Sequence, residues 1–267
     1  MYFAGDPGFE IFVYKHGGRF YADDGLRTEL HTPEALAAFV EWTDLYTKYG
    51  MPIGANAYWH FRAGDMPIIT GGFQQYLLLK HAAPELTNRW GIAPLPGYRL
   101  PSGDTARTAG SIAMMGGGQT KVAMIFSISE QKEKAWRLLD WWTSASVQER
   151  FAHEVEGLIG MEARWNTANM EALKHMPWDD TELDVILEQL SWIREIPVVL
   201  GGYMTTRYTG PGGIAWTKVV IEGEKPKDAM EEAVKEINKE LTRKAKEFGL
   251  LPEGDEEALR EATGKTR

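Results

Sequence analysis

Cysteine is absent from the 267-residue chain. That excludes a disulfide framework, a thiolate metal site and a cysteine nucleophile. No run of about 18 apolar residues occurs, so no stretch reads as a membrane-spanning helix. Residues 1–12 lack a basic region followed by an apolar stretch and do not read as a signal peptide. Positive charge is in deficit: 29 Lys and Arg stand against 38 Asp and Glu, a net charge of −9. Such a surface repels phosphate backbones and anionic lipid, so neither nucleic acid nor a membrane surface is an expected partner. There is no internal repeat and no low-complexity segment. What remains is the balance of a globular protein, 43% hydrophobic and 25% charged, long enough for one large domain or two smaller ones.

The usual signatures of catalysis are also missing. Gly116-Gly117-Gly118, followed by Thr120 and Lys121, lacks the order of a phosphate-binding loop. It reads as a turn between two apolar runs of strand length, 112–115 and 121–126. No Gly-x-Ser-x-Gly elbow occurs. His153, Glu154 and Glu156 lie close together but without the one-face spacing that a metal needs, and read as a solvated helix end. The pairs Asp23-Asp24 and Asp179-Asp180 sit in turn contexts. A glycosidase needs two carboxylates facing each other across a cleft, an arrangement that spacing alone does not reveal, so a carbohydrate hydrolase stays open as an alternative. No metal and no cofactor is expected.

The chain is rich in aromatics: ten Trp, ten Tyr and ten Phe. Most aromatics serve cores, yet their flat faces also stack on sugar rings while their polar edges stay wet. Along the chain, residues 14–24 read as a turn and short hairpin around Gly17-Gly18 and Asp24-Gly25. Thr32 and Pro33 start a helix that Gly50 closes. Short helices are expected over 55–63 and 73–82, and strands over 66–70 and 90–95, with 100–108 a surface loop. Ser127 and Glu130 form a capping box for a helix whose apolar side carries Ala135, Leu138, Leu139 and Trp142. Further helices are expected over 146–155, from Thr167, over 181–195, 214–221 and 227–248, followed by a charged tail, 251–267. Helices alternating with strands predict an α/β protein. Trp42, Trp136, Trp141, Trp142 and Trp192 read as core or lobe packing.

Several segments resemble a known family in their order. Phe61-Arg62-Ala63-Gly64-Asp65-Met66-Pro67-Ile68-Ile69-Thr70-Gly71-Gly72 is similar to the Phe-x-x-Gly-x-x-Ala-Met-x-x-x-Gly segment of the family 1 extracellular solute-binding proteins of ABC transporters. Trp90-Gly91-Ile92-Ala93-Pro94-Leu95-Pro96-Gly97 resembles the family's strand leading to Pro-Leu-Pro-Gly. The segment 134–144, with Gln148, resembles its tryptophan-containing helix pair, and the Thr32-Pro33-Glu34-Ala35 helix start follows Gly17-Gly18 and Asp24-Gly25 as in the family. The likeness runs from Gly5 to Phe248. It implies a periplasmic-binding-protein-like type II α/β fold, related to the maltose-binding proteins, with two lobes around a ligand cleft. It also implies that most of the C-terminal lobe is here, 1–108 and 162–250, with 109–161 belonging to the N-terminal lobe. The family's usual opening segment has no counterpart in the chain, so the stretch 110–160 is expected to pack poorly or to expose an apolar face.

By this resemblance the chain is the binding component of an importer and not an enzyme: an extracellular or surface-held monomer that captures a carbohydrate and docks on permease subunits. Alternatives are a peptide or other small solute on the same scaffold. A sugar site needs aromatic platforms and polar groups on loops facing a cleft. The expected ligand-binding residues are Phe9 after the turn at Asp6-Pro7-Gly8; Phe73, Gln74 and Gln75 after Gly71-Gly72; Gly110 and Ser111 at the lobe crossing; Trp165 and Asn166; and Tyr203, Arg207 and Tyr208 in the Gly-rich stretch 201–213. Each has a plainer reading as core, helix start or cap.

Overall fold

The computed structural model describes residues 3–4, 8–108 and 123–251. Its main core is built by five helices. Helix α1 (Phe9–Lys15) leads into α2 (Pro33–Thr47), and α9 (Tyr203–Thr209), α10 (Ile214–Val220) and α11 (Pro226–Glu247) complete the group. Helix α2 begins as its sequence dictates. Pro33 occupies the first turn, where its missing N–H costs nothing, and the Thr32 side chain accepts from the Ala35 N–H at 3.3 Å. Ala35, Ala38, Phe39 and Trp42 then recur at helical spacing, and all four are fully buried. Helix α11 buries Ala229, Met230, Ala233, Ile237, Leu241 and Ala245 on one stripe, while its outer face carries Lys/Arg–Glu pairs. A buried polar bond joins chain segments far apart in sequence: the Thr28 N–H donates to Asn238 Oδ1 at 2.8 Å.

Two smaller clusters flank this core. Tyr58 of α3 (Ala57–Ala63) and Leu79 of α4 (Phe73–Ala82) pack with Ala83, Phe61, Leu86 and Trp90. Of the other helices, α5 (Lys132–Thr143) precedes α6 (Ala145–Ile159), α7 (Met170–Lys174) and α8 (Asp180–Ser191). Ala152, Leu173 and Met176 form the third cluster, against Trp165, Trp178, Ile186, Leu187 and Leu190. The described strands are short. Phe3–Ala4 (β1) pairs in parallel with Ile68–Ile69 (β2), Phe3 against Ile68. Tyr98–Arg99 (β3) pairs antiparallel with Thr105–Ala106 (β4) across a turn in which Gly103 has φ +92°, a conformation that favours glycine.

Several expectations need correction. Residue Phe9 does not sit in a loop: it opens α1 and is 2% exposed. The hairpin expected over 14–24 shrinks to a bridge between Tyr21 and Thr28 around the Asp24-Gly25 turn, because Tyr14 still belongs to α1. Only two residues of 66–70 form a strand, and 90–97 run without one; the 100–108 loop instead contains β4. Helix α5 starts at Lys132 after Gln131, so Ser127 and Glu130 cap nothing. Helix α7 starts at Met170, where the Asn169 side chain accepts from the Glu171 and Ala172 N–H groups; Thr167 is not its start. The stretch 201–213 is largely α9 rather than loop. The strand expected at 112–115, the glycine run 116–118 and the tail 252–267 lie outside the described residues.

The segment 123–160 exposes apolar surface, as expected for that stretch. Phe126 is 78% exposed and Ile128 88%, and Trp136, Leu138, Trp141, Leu158 and Ile159 are exposed as well. Trp136 and Trp141 are therefore not core residues. Helix α5 has the expected amphipathic spacing, but none of its residues is buried.

Candidate functional site

The expected site residues fall into separate places. The first is a crevice of about 220 Å³ between α1, the stretch 196–199 and α9. Phe9 forms part of its floor, although the ring belongs to the core, near-parallel to Trp42 at 5.3 Å between centroids. Tyr21 and Thr205 close one wall, the Tyr21 hydroxyl donating to Thr205 Oγ1 at 2.7 Å. Tyr203 stands at the mouth, 57% exposed. Its hydroxyl donates to Glu240 Oε1 at 2.8 Å. The Arg243 guanidinium hydrogen-bonded to Glu240, together with this Tyr203 bond, holds that carboxyl down at about 2. Arg207 is exposed. Tyr208 turns into the core at 8% exposure, and burial raises the phenol above its ordinary value. The Gly-rich stretch thus delivers one of its two tyrosines to a surface and the other to packing.

The second place is a group of rings between α4 and α8. Phe73 and Gln74 open α4 after Gly72, whose extended backbone ends the preceding segment. Phe73 lies near-parallel to Tyr76 at 6.3 Å and edge-on to Trp178 at 5.8 Å. Tyr76 meets Trp178 at 5.7 Å and Trp90 at 6.0 Å. Gln74 is exposed. Gln75 folds back over Gly71, where a Cβ would lie 2.7 Å from its Cβ and Cγ. Its buried Nε2 has no hydrogen-bond partner, a costly state for an amide donor.

Charged groups frame these rings. The Tyr76 hydroxyl donates to Glu182 Oε2 at 2.6 Å, and Lys80 Nζ lies 2.6 Å from Glu182 Oε1. Burial and this bond to a carboxylate push the Tyr76 phenol well above its ordinary value. The Lys80 ammonium also stands 5.6 Å from the ring centroids of both Tyr76 and Trp90. Arg164 makes a two-pronged bond to Glu156, Nε to Oε2 at 2.8 Å and a terminal nitrogen to Oε1 at 2.6 Å. Its guanidinium lies 4.9 Å from the Trp178 ring centre.

Trp165 packs beside this group through the cluster it shares with Trp178. Its Nε1 donates to Gln148 Oε1 at 2.7 Å, and its ring meets Phe151 edge-on at 5.1 Å. Asn166 is exposed, and the capping role beside it belongs to Asn169. Gly110 and Ser111 lie outside the described residues. Sequence reasoning missed Tyr76 and Trp178 as neighbours of Phe73, and Lys80, Trp90, Arg164 and Glu182 as further members of the same group. Only the spacing Phe73, Tyr76, Lys80, one face of a helix, carried a local signal for any of them. Among the described residues no group of His, Asp or Glu could hold a metal, and no helix is long and apolar enough to cross a membrane.

No known protein-family profile matches the chain, and no curated protein matches it. Solved structures do. The sugar-binding protein MalE from Xanthomonas citri superposes with a TM-score of 0.67 at 19% identity, over 94% of this chain and 60% of that one. A solute-binding protein of an ABC transporter from Thermotoga lettingae, bound with α-D-tagatose, gives 0.59 at 21% identity, over 88% and 56%. The cyclic α-maltosyl-1,6-maltose binding protein of Arthrobacter globiformis gives 0.59 at 17% identity, over 88% and 55%. The chain spans little more than half the length of these proteins. Over that span it has their fold, the periplasmic-binding-protein-like type II α/β architecture.

Proposed function

We propose that this chain captures a carbohydrate as the binding component of an ABC importer, outside the cytoplasm, and hands it to permease subunits without chemical change. The observation that carries the reading is the ring group of Phe73, Tyr76, Trp90 and Trp178, with Gln74 exposed next to Phe73 in the chain and the Glu182 carboxylate already engaged in a hydrogen bond. Sugars present apolar ring faces and a fringe of hydroxyls, and stacked aromatics beside neutral amides complement both. Tyr203 at the mouth of the crevice, with Arg207 nearby on α9, supplies a second contact region in the same reading. The division into lobes, 1–108 and 162–250 against 109–161, belongs to the proposal too.

Isothermal titration against an oligosaccharide panel tests the reading. Binding of a saccharide, weakened about tenfold or more by Phe73→Ala, is the expected result. Silence toward every saccharide, with binding of peptides instead, sinks the carbohydrate assignment and leaves the fold standing.

A further inference from the structure

The cations beside the aromatic platform are not available to a ligand. Lys80, its side chain 32% exposed, lies over the rings of the buried Tyr76 and of Trp90, and its Nζ is held 2.6 Å from Glu182 Oε1. The other carboxylate oxygen of Glu182 takes the Tyr76 hydroxyl, so one side chain fixes both the ring and the ammonium. Arg164, with its side chain 3% exposed, is committed to Glu156 through two hydrogen bonds. Asp179, at the cap of α8, adds a further negative charge whose field reaches Lys80.

We infer that Glu182 is the specificity-determining residue of this platform: by neutralising Lys80 it restricts the site to uncharged saccharides and rejects uronates and sugar phosphates. The inference rests on the carbohydrate reading above and deepens it. The physical ground is desolvation. A carboxylate or phosphate brought onto these rings gives up water, and an unpaired cation is the strongest single group that could offset that loss. Lys80 and Arg164 each already have a carboxylate, so an anionic sugar must compete with Glu182 or Glu156 for them. The net charge of −9 adds long-range repulsion of the same sign. A neutral sugar pays neither cost, since its hydroxyls need only hydrogen-bonding neighbours and a ring face.

Substituting Glu182→Gln releases the ammonium while leaving an amide oxygen to accept from Tyr76. Titration of the full chain at low salt with neutral trisaccharides (maltotriose, cellotriose, xylotriose) and with trigalacturonate reads the outcome. The wild type is expected to bind a neutral member at least tenfold more tightly than trigalacturonate. E182Q is expected to shift the neutral-to-anionic affinity ratio about tenfold toward trigalacturonate, the scale of one charge-assisted hydrogen bond. Adding Lys80→Met to E182Q should abolish the gain. The milder Glu182→Asp, which shortens the reach to Lys80, should show the same direction with smaller size and serves if E182Q does not fold. A wild type that prefers trigalacturonate, or folded Glu182 variants with an unchanged neutral-to-anionic ratio, overturns the inference and leaves the carbohydrate reading intact. A wild type that binds no saccharide overturns both.

Discussion

Asn238 offers a sharp test of how the main core is tied together. The residue is 6% exposed on the inner face of α11, and its Oδ1 accepts the N–H of Thr28, which is 0% exposed. Thr28 itself faces Tyr21 across the isolated bridge and donates its hydroxyl to the Phe20 carbonyl at 2.7 Å. Truncating Asn238→Ala therefore strands a backbone donor with no water to replace the lost acceptor, at a cost of about 1–3 kcal/mol. Alanine returns about 0.5 kcal/mol through its better helix propensity. The net expectation is a loss of roughly 0.5–2.5 kcal/mol. Urea unfolding should show a lower midpoint with an unchanged slope, and hydrogen exchange should show the Thr28 amide losing protection. Asn238→Asp, which keeps an acceptor in place, should preserve that protection. Equal or greater stability of N238A, with Thr28 still protected, would refute the claim that this bond anchors the 20–28 turn to α11.

Other consequences follow from the same physics. Arg164→Met leaves the Glu156 carboxylate, 16% exposed, without its two donors and should cost about 3–5 kcal/mol in urea unfolding; the double variant with Glu156→Gln should recover a large part of the loss. Glu240 is held down at about 2 by Arg243 and Tyr203, below an unfolded value of about 4.3. Its contribution is then complete above about pH 4.3 and lost as pH falls toward 2, so the melting temperature of Glu240→Gln should decline less than that of the wild type over that window. Trp136→Gln changes a side chain that is 62% exposed and should shift stability by less than about 0.5 kcal/mol while lowering the binding of a hydrophobic dye; a large destabilisation would show that the ring is packed after all.

Local signals are legible wherever a residue acts through its own backbone neighbourhood. Thr32 and Pro33 mark the start of α2, and the start of α10 and the length of α11 follow from apolar spacing alone. The α4 start after Gly71-Gly72 was equally legible. Burial was not. Trp42 and Trp136 both sit on amphipathic helices, yet the first is 0% exposed and the second 62%, because periodicity names a face and not what covers it. Tyr203 and Tyr208 illustrate the same gap. Five residues apart on one short helix, they are about 140° apart around its axis, so one reaches the crevice mouth and the other the core.

The sequence by itself determined where most helices begin, the excess of aromatics, the negative charge, the absence of thiol chemistry, and the order of segments that pointed to the fold. Only the tertiary structure decided that Phe9 and Tyr208 are packing residues and that Phe73 shares a ring group with Trp178, 105 positions further along by their residue numbers. Only it showed that Glu182 holds both Tyr76 and Lys80. Caps and periodicity act over a turn or two of chain, and local sequence carries them whole. Ring stacking and ion pairing act over a few ångströms of space, and the chain brings such partners together only once it has folded.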